Sequence, residues 1–553
     1  MSTEERKYLL EKVSKVAIVQ LYADGFEDLS LNEKISAYYL SCAALAGRDI
    51  TYDQVHRHGL KVRNLLEEIV IHAQGIDGKL LERITSYLKL FWAFNGNYGT
   101  NNRKFVPEFS PEDLLSASKI ALSNGADLRV KDEQALKEEL NKLKRTIFDP
   151  DFEPLLANKS PREGENVITA SGNNYYEGVS LKDLENFDEK YPLNSKVVKK
   201  DGKIIEQVYR AGTESVPSGL YAEQLNRVID NLEKALPNAG EGQREALKNL
   251  IRYFKTGDPK DFDKYNISWV RDNPIVETIN GFIETYSDAR GAKGEYEGMV
   301  SFVDKETNQV MQDLATFAQY FEDKAPWDEK YKKKKVNPPV ANAVTLLLAT
   351  GGGGPIAYLG VNLPNAQEIR ETYGSKNFIL TNVTSLIRKA EAGRTSKEFA
   401  FTEEEIKLDQ LYGEKAGLLH TAIHEILGHG SGKVSEKLTS DPSEYLKEYY
   451  STLEEAKADL MALWHIFDEK LMQLARIDGK TGEALYRGYA RADLVRLRTV
   501  KKGDRLEKDH ARARHMVVSY LRDKTKAIQT TEKDGKVYLV VKDMSEMRQG
   551  VGE

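Results

Sequence analysis

The stretch that decides the reading runs from Thr402 to His429: TEEEIKLDQLYGEKAGLLHTAIHEILGH. Thr402 with Glu405 three residues later is a capping-box pattern, and apolar residues then recur at three and four, so a helix is predicted to start there. It ends in His424-Glu425-Ile426-Leu427-Gly428-His429, the H-E-x-x-H pattern of helical zinc sites with a glycine inserted before the second histidine. In a regular helix residues four apart lie about 40° apart around the axis, and residues five apart about 140°. Imidazoles splayed that far cannot both reach one ion at about 2.0–2.1 Å. The insertion therefore predicts a π-bulge, which absorbs one residue and returns both histidines to a common face. Gly428, with no Cβ to clash, suits that irregularity. Glu425 then stands beside the metal rather than on it, in the place of a general base for water.

A catalytic zinc commonly takes three protein ligands and keeps one position open. Downstream, Glu454-Glu455-Ala456-Lys457-Ala458-Asp459 lies in the apolar-periodic run YYSTLEEAKADLMALWHIF, where helical geometry puts Glu455 and Asp459 on one face. Glu455 is the predicted third ligand; Glu454 and Asp459 are the predicted acceptors for the outer N–H groups of the ligand imidazoles. The clustering of histidine agrees, since six of the nine fall after residue 419.

Upstream, residues 337–367 carry no charge and include VTLLLAT and PIAYLGV. Gly351 to Gly354 followed by Pro355 would ruin a lipid-exposed helix, so a buried strand, a glycine turn and a second strand are expected. No Gly-Lys-Ser/Thr follows the glycines, which removes a phosphate loop. A glycine-bearing strand edge instead suits an extended peptide pairing alongside it. The chain reads as helical up to about residue 145. Residues 148–220 are rich in Pro, Asn and Gly, with a hairpin around Asp201-Gly202. Helical periodicity returns over 219–257 and from about 400 to 530, and KVYLVVKD near the end reads as a strand. Lys330 to Lys335 (KYKKKK) reads as a solvated linker or helix end. The fold class is α+β: a mixed N-terminal half and a helical C-terminal part.

Composition narrows the remaining classes. The 553 residues carry 80 Lys+Arg against 86 Asp+Glu, a net charge of -6, so no global basic field recruits nucleic acid or an acidic membrane surface. The single cysteine, Cys42, excludes an internal disulfide and a Cys-rich zinc module. Charges run through the first 15 residues with no apolar h-region, so a reducing, cytoplasmic location is expected.

H-E-I-L-G-H followed about 25 residues later by E-E-A-K-A-D resembles the paired motifs of the dipeptidyl peptidase III family of zinc metallopeptidases. The likeness extends to Gly281-Phe282-Ile283-Glu284-Thr285-Tyr286 with Lys293-Gly294-Glu295-Tyr296-Glu297-Gly298, to Gly360-Val361-Asn362-Leu363-Pro364-Asn365, and to Asn95-Gly96-Asn97-Tyr98 with Lys104-Phe105-Val106-Pro107. The resemblance implies two lobes around a wide cleft. Residues 1–304 with 346–391 would form a mixed lobe with a β-core, and 305–345 with 392–553 a helical, zinc-bearing lobe. It implies one Zn2+ per chain on His424, His429 and Glu455, with Glu425 as catalytic base. Tyr286 and His515 (in Arg514-His515-Met516) match the residues that stabilise the tetrahedral oxyanion. Glu284, Asn362 and Asn365 match those that hold the free N-terminus and first residues of a short peptide. The implied activity is release of dipeptides from peptide N-termini. A zinc endopeptidase of other register and a catalytically silent peptide-binding regulator are the alternatives. Family members continue past the equivalent of Glu553 with basic residues that contact the substrate's C-terminal side, whereas this sequence stops at MRQGVGE; either the lineage is shorter or the sequence is a truncated product, and binding on that side stays open.

Overall fold

The computed structural model describes residues 6–99, 102–159, 161–336, 340–355, 358–391, 393–439, 442–446, 449–498 and 509–553. Its centre is a five-stranded sheet of β1 (Val276–Phe282), β2 (Tyr296–Val303), β3 (Val340–Gly351), β4 (Gly360–Leu363) and β5 (Lys376–Leu380), in the order β1-β2-β3-β5-β4. β3 and β5 run parallel and the other neighbours antiparallel. The uncharged segment thus supplies β3, the glycine turn and β4 as expected. The two strands are not partners, because β5 inserts between them. Pro338 and Pro339 lie outside the described residues.

Side chains alternate across a strand, and β3 shows what that does here. Ala341 and Ala343, with Ile379 of β5, pack into a core that includes Met311, Ile423 and Leu427. Val344 and Leu346, with Phe378 and Leu380, pack into another with Leu40, Leu225 and Phe282. One sheet therefore serves two apolar cores, one built from N-terminal helices and one from C-terminal helices, in a two-lobed α+β fold. The N-terminal helices between residues 52 and 147 add a core of their own.

The helical part is framed by α1 (Glu403–Ile423), α2 (Tyr450–His465), α3 (Gly479–Leu497) and α4 (Asp509–Asp523). The capping box at its start is half formed. Thr402 Oγ1 accepts the Glu405 N–H at 3.3 Å, but the Glu405 carboxylate accepts from Phe401 N–H at 3.1 Å and pairs with Arg487 at 2.8 Å. The hairpin Ser195–Lys200 with Lys203–Val208 turns through Asp201 (φ 51°) and Gly202 (φ 76°), the left-handed pair a two-residue turn needs. KVYLVVKD forms the strand Lys536–Val541, paired with Ile528–Lys533. A second hairpin, Leu9–Val13 with Val16–Val19, corrects the expectation of helix throughout the first 145 residues. Its apolar residues fit a helical period, but Ser14 at φ 53° turns the chain back. Among the described residues no helix is long and apolar enough to cross a membrane.

Candidate active site

α1 runs directly into a π-helical turn, His424–Gly428, in which the His429 N–H donates to the His424 carbonyl at 3.1 Å. The extra residue between the histidines is absorbed there. Gly428 is needed for a reason the spacing does not contain. A Cβ at this position would lie 2.5 Å from Ala458 Cα and 2.6 Å from Ala458 Cβ, so glycine lets the π-turn touch the α2 backbone. That contact sets the acidic face of α2 against the two imidazoles.

One ligand atom from each of His424, His429 and Glu455 lies within 4.8 Å of the others. Glu455 Oε2 is 3.1 Å from His424 Nε2 and 3.9 Å from His429 Nε2. Atoms about 2.0–2.1 Å from a tetrahedral ion sit roughly 3.4 Å apart, so the spacing brackets what a zinc-sized cation requires. His424 Nε2 and Glu455 Oε2 are buried and face each other at 3.1 Å without an aligned hydrogen bond, as donor atoms turned toward a common ion would be. The outer nitrogens are occupied: His424 Nδ1 faces Asp459 Oδ1 at 2.9 Å, and His429 Nδ1 faces Glu454 Oε1 at 3.2 Å. Each carboxylate holds its ring in the tautomer that turns Nε2 inward. Tyr489 donates its hydroxyl to Asp459 Oδ2 at 2.7 Å, and His420 Nε2 lies 3.2 Å from Asp459 Oδ1.

The electrostatics favour positive charge at the centre. Burial alone would lower the His424 pKa, but Asp459 and Glu455 outweigh it and raise the imidazole to about 10. Burial would raise Glu455; His424 and His510 overcome it and bring the carboxyl down to about 2. Burial likewise opposes ionisation of Asp459, and His420 and His424 reverse it. Glu425, in the π-turn, is half-buried beside His424.

The other predicted residues fall into separate groups. Asn365 Nδ2 donates to Glu284 Oε2 at 3.2 Å, and Tyr286, 65% exposed, hydrogen-bonds the same carboxylate. These three rim a cavity of about 430 Å³ with an aromatic wall that includes Phe262, Tyr265 and Trp269. Burial raises the Glu284 pKa against the pull of Asn365 and Tyr286. Asn362 is exposed on β4, opposite Asn377 of β5. Beside this group β5 pairs only with Val340–Val344 of β3, so from Leu347 to Gly351 that edge has no strand partner among the described residues.

His515 does not join the metal-ligand group. Its Nδ1 lies 3.1 Å from Asp493 Oδ2 on α3. The histidine that does is His510, one turn earlier on α4, whose Nδ1 is 2.9 Å from Glu455 Oε2. Sequence reasoning passed over His510 and Tyr489. The one available signal was the pair of histidines on one helix, and only the packing of α4 against α2 says which of them reaches Glu455.

A family model described as peptidase family M49 matches residues 192–448, a span that includes Glu284, Asn365 and the π-turn. Over that span the chain is similar to peptidase family M49. The chain is also similar to dipeptidyl peptidase 3 of Dictyostelium discoideum, 28% identical over 529 residues, covering 84% of this chain and 72% of that protein. Dipeptidyl peptidase 3 of Mus musculus is 28% identical over 349 residues, covering 57% of this chain and 45% of that protein. The chain therefore spans less than half the length of the mouse relative. In fold it is similar to the DPP III structure from Caldithrix abyssi, with a TM-score of 0.70 at 19% identity, covering 95% of this chain and 86% of that one. The matching family is one of peptidases, and the His-His-Glu group is where this chain could hold a metal ion.

Proposed function

We propose that this chain is a zinc-dependent dipeptidyl peptidase that removes dipeptides from the N-termini of short peptides. The observation that carries the reading is the convergence of His424, His429 and Glu455 at the end of a π-turn, with a carboxylate behind each imidazole. Zinc bound by these three would act as a Lewis acid and ease deprotonation of water. Glu425 takes a proton from the attacking water and returns it to the leaving amine. Glu284, steadied by Asn365, pairs with the peptide's ammonium group, and Asn362 holds the first residues, which sets the cleavage register. Tyr286 donates its hydroxyl to the developing oxyanion. His510 is assigned the second donor role in place of His515, because it already faces Glu455 while His515 faces Asp493.

The anchoring group belongs to the sheet and the metal group to the helices. We divide the chain accordingly into 1–304 with 346–391 and 305–345 with 392–553, and closure of the two lobes brings the groups to one peptide. Metal analysis, inactivation by chelator and rescue by zinc on a chromogenic dipeptide substrate test the chemistry. A free peptide and its N-acetylated form test the register. Equal cleavage of the two would favour an endopeptidase instead.

A further inference from the structure

The basic run Lys330 to Lys335 is not wholly solvated: Lys332 is largely covered, holding the Asp323 carbonyl and Glu329, and Lys333 reaches the end of the π-turn. Lys334 and Lys335 are exposed and Lys330 pairs with Asp328, but Lys333 Nζ donates to the Gly430 carbonyl at 2.7 Å, one residue beyond His429. Its own N–H donates to Glu322 Oε1 at 2.7 Å. Glu322, only 1% exposed, also accepts the Gly432 N–H at 3.1 Å. Lys457 of α2 donates to the Ser431 carbonyl at 3.0 Å and pairs at 2.8 Å with Glu454, the acceptor behind His429. Three consecutive residues after the metal motif are thus tied by side chains from outside it. Gly432, at φ 77°, bends the chain away immediately afterwards.

A helix end leaves carbonyls without partners, and the ammonium groups of lysines satisfy them while complementing the negative end of the helix dipole. Here the carbonyls follow a π-turn that ends in a ligand, so the ties fix where His429 leaves the helix. We propose that Lys333 and Glu322 are positioning residues for His429, acting through the backbone of Gly430–Gly432. The basic run accordingly supplies part of the metal centre's scaffold. This inference rests on the metal-site reading above.

The test is zinc affinity of the full chain, measured by competition with a chromophoric chelator, beside thermal unfolding of the metal-free protein. Lys333→Met should weaken zinc binding by about 10–100-fold, the usual effect of removing an outer-shell support, and Glu322→Gln should act in the same direction. Lys333→Arg, which keeps a charged donor, should recover most of the affinity. Lys332→Met removes a neighbour that holds Asp323 O and Glu329, and should leave affinity unchanged with a similar shift in metal-free Tm. Wild-type zinc affinity in both Lys333→Met and Glu322→Gln overturns the inference, and so does equal weakening in Lys332→Met. A wild-type chain that takes up no zinc overturns the metal-site reading itself, and this inference with it.

Discussion

At Glu455 one carboxylate oxygen faces three imidazoles, those of His424, His429 and His510. Two of these are placed by a spacing rule that the sequence displays. The third is not, because His510 and His515 lie five apart on α4 and point about 140° away from each other, and nothing in the residues says which direction meets Glu455. His510→Ala should lower kcat on the order of 100-fold, as loss of an oxyanion donor does, while His515→Ala should stay within a few-fold. Steady-state kinetics on both variants decide it, and the reverse order would return the role to His515. Glu425→Ala should lower kcat by about 100-fold or more with zinc content unchanged, read by turnover and metal analysis together. Glu284 gives a pH prediction. Burial raises its pKa, with Tyr286 and Glu297 the titratable groups beside it. Below that raised pKa it is neutral and cannot pair with an ammonium group. KM for a free peptide should therefore climb as pH falls through a point above the ordinary glutamate value of about 4.3. Glu284→Gln should have a high, flat KM across the same range; a parallel acid limb in the variant would count against the role.

At the scale of elements, the π-turn follows from residue count alone, yet the reason for its glycine does not. Spacing suggested that Gly428 relaxes the turn; packing shows that it admits the α2 backbone. Gly428→Ala should force the two elements apart, costing about 1–3 kcal/mol as overpacking does, and should weaken zinc binding at the same time. Chemical denaturation and metal titration read the two effects; a stable variant with unchanged zinc affinity would show that the close approach is dispensable. The sheet holds another test. Lys376 of β5 and Glu277 of β1 form an ion pair at 2.8 Å, with 2% and 5% of their side chains exposed, and Trp269 donates to the same carboxylate. Lys376→Met leaves that carboxylate buried without its cation and should cost about 3–5 kcal/mol, whereas adding Glu277→Gln should recover part of the loss. Such a pair was not legible beforehand, since each residue sits in a short strand with nothing to mark a partner 99 positions away. The N-terminal hairpin was misread for the opposite reason: its apolar spacing satisfies a helix, and only the turn at Ser14 overrules it.

At the scale of the molecule, a single strand divides its side chains between two cores. A run buried on both faces has no polar alternation, so β3 reads as one uncharged stretch, and its service to two lobes leaves no mark in composition or periodicity. The metal motif was legible because chemistry restricts it to few residue types, whereas the lobes were reached through resemblance. The points where helices leave the shared sheet are tied together. Asp304 caps the helix Lys305–Thr316 and accepts the Thr381 hydroxyl at 3.0 Å, while Asn382 bonds both polar groups of Leu346 at 2.9 Å. Motion between lobes would pivot on such junctions, since the strands themselves are held to one another by ladders. If Glu284 and Asn365 anchor one end of a peptide and the metal group its second peptide bond, a bound peptide joins the two lobes and should draw them together. Glu425→Ala, zinc-loaded and unable to turn the peptide over, should show a smaller radius of gyration in X-ray scattering when saturated with a free peptide. The N-acetylated peptide at the same concentration should leave it unchanged, because it lacks the ammonium group that engages Glu284. Compaction by both forms would place the anchor elsewhere, and compaction by neither would mean that the two groups act without closure.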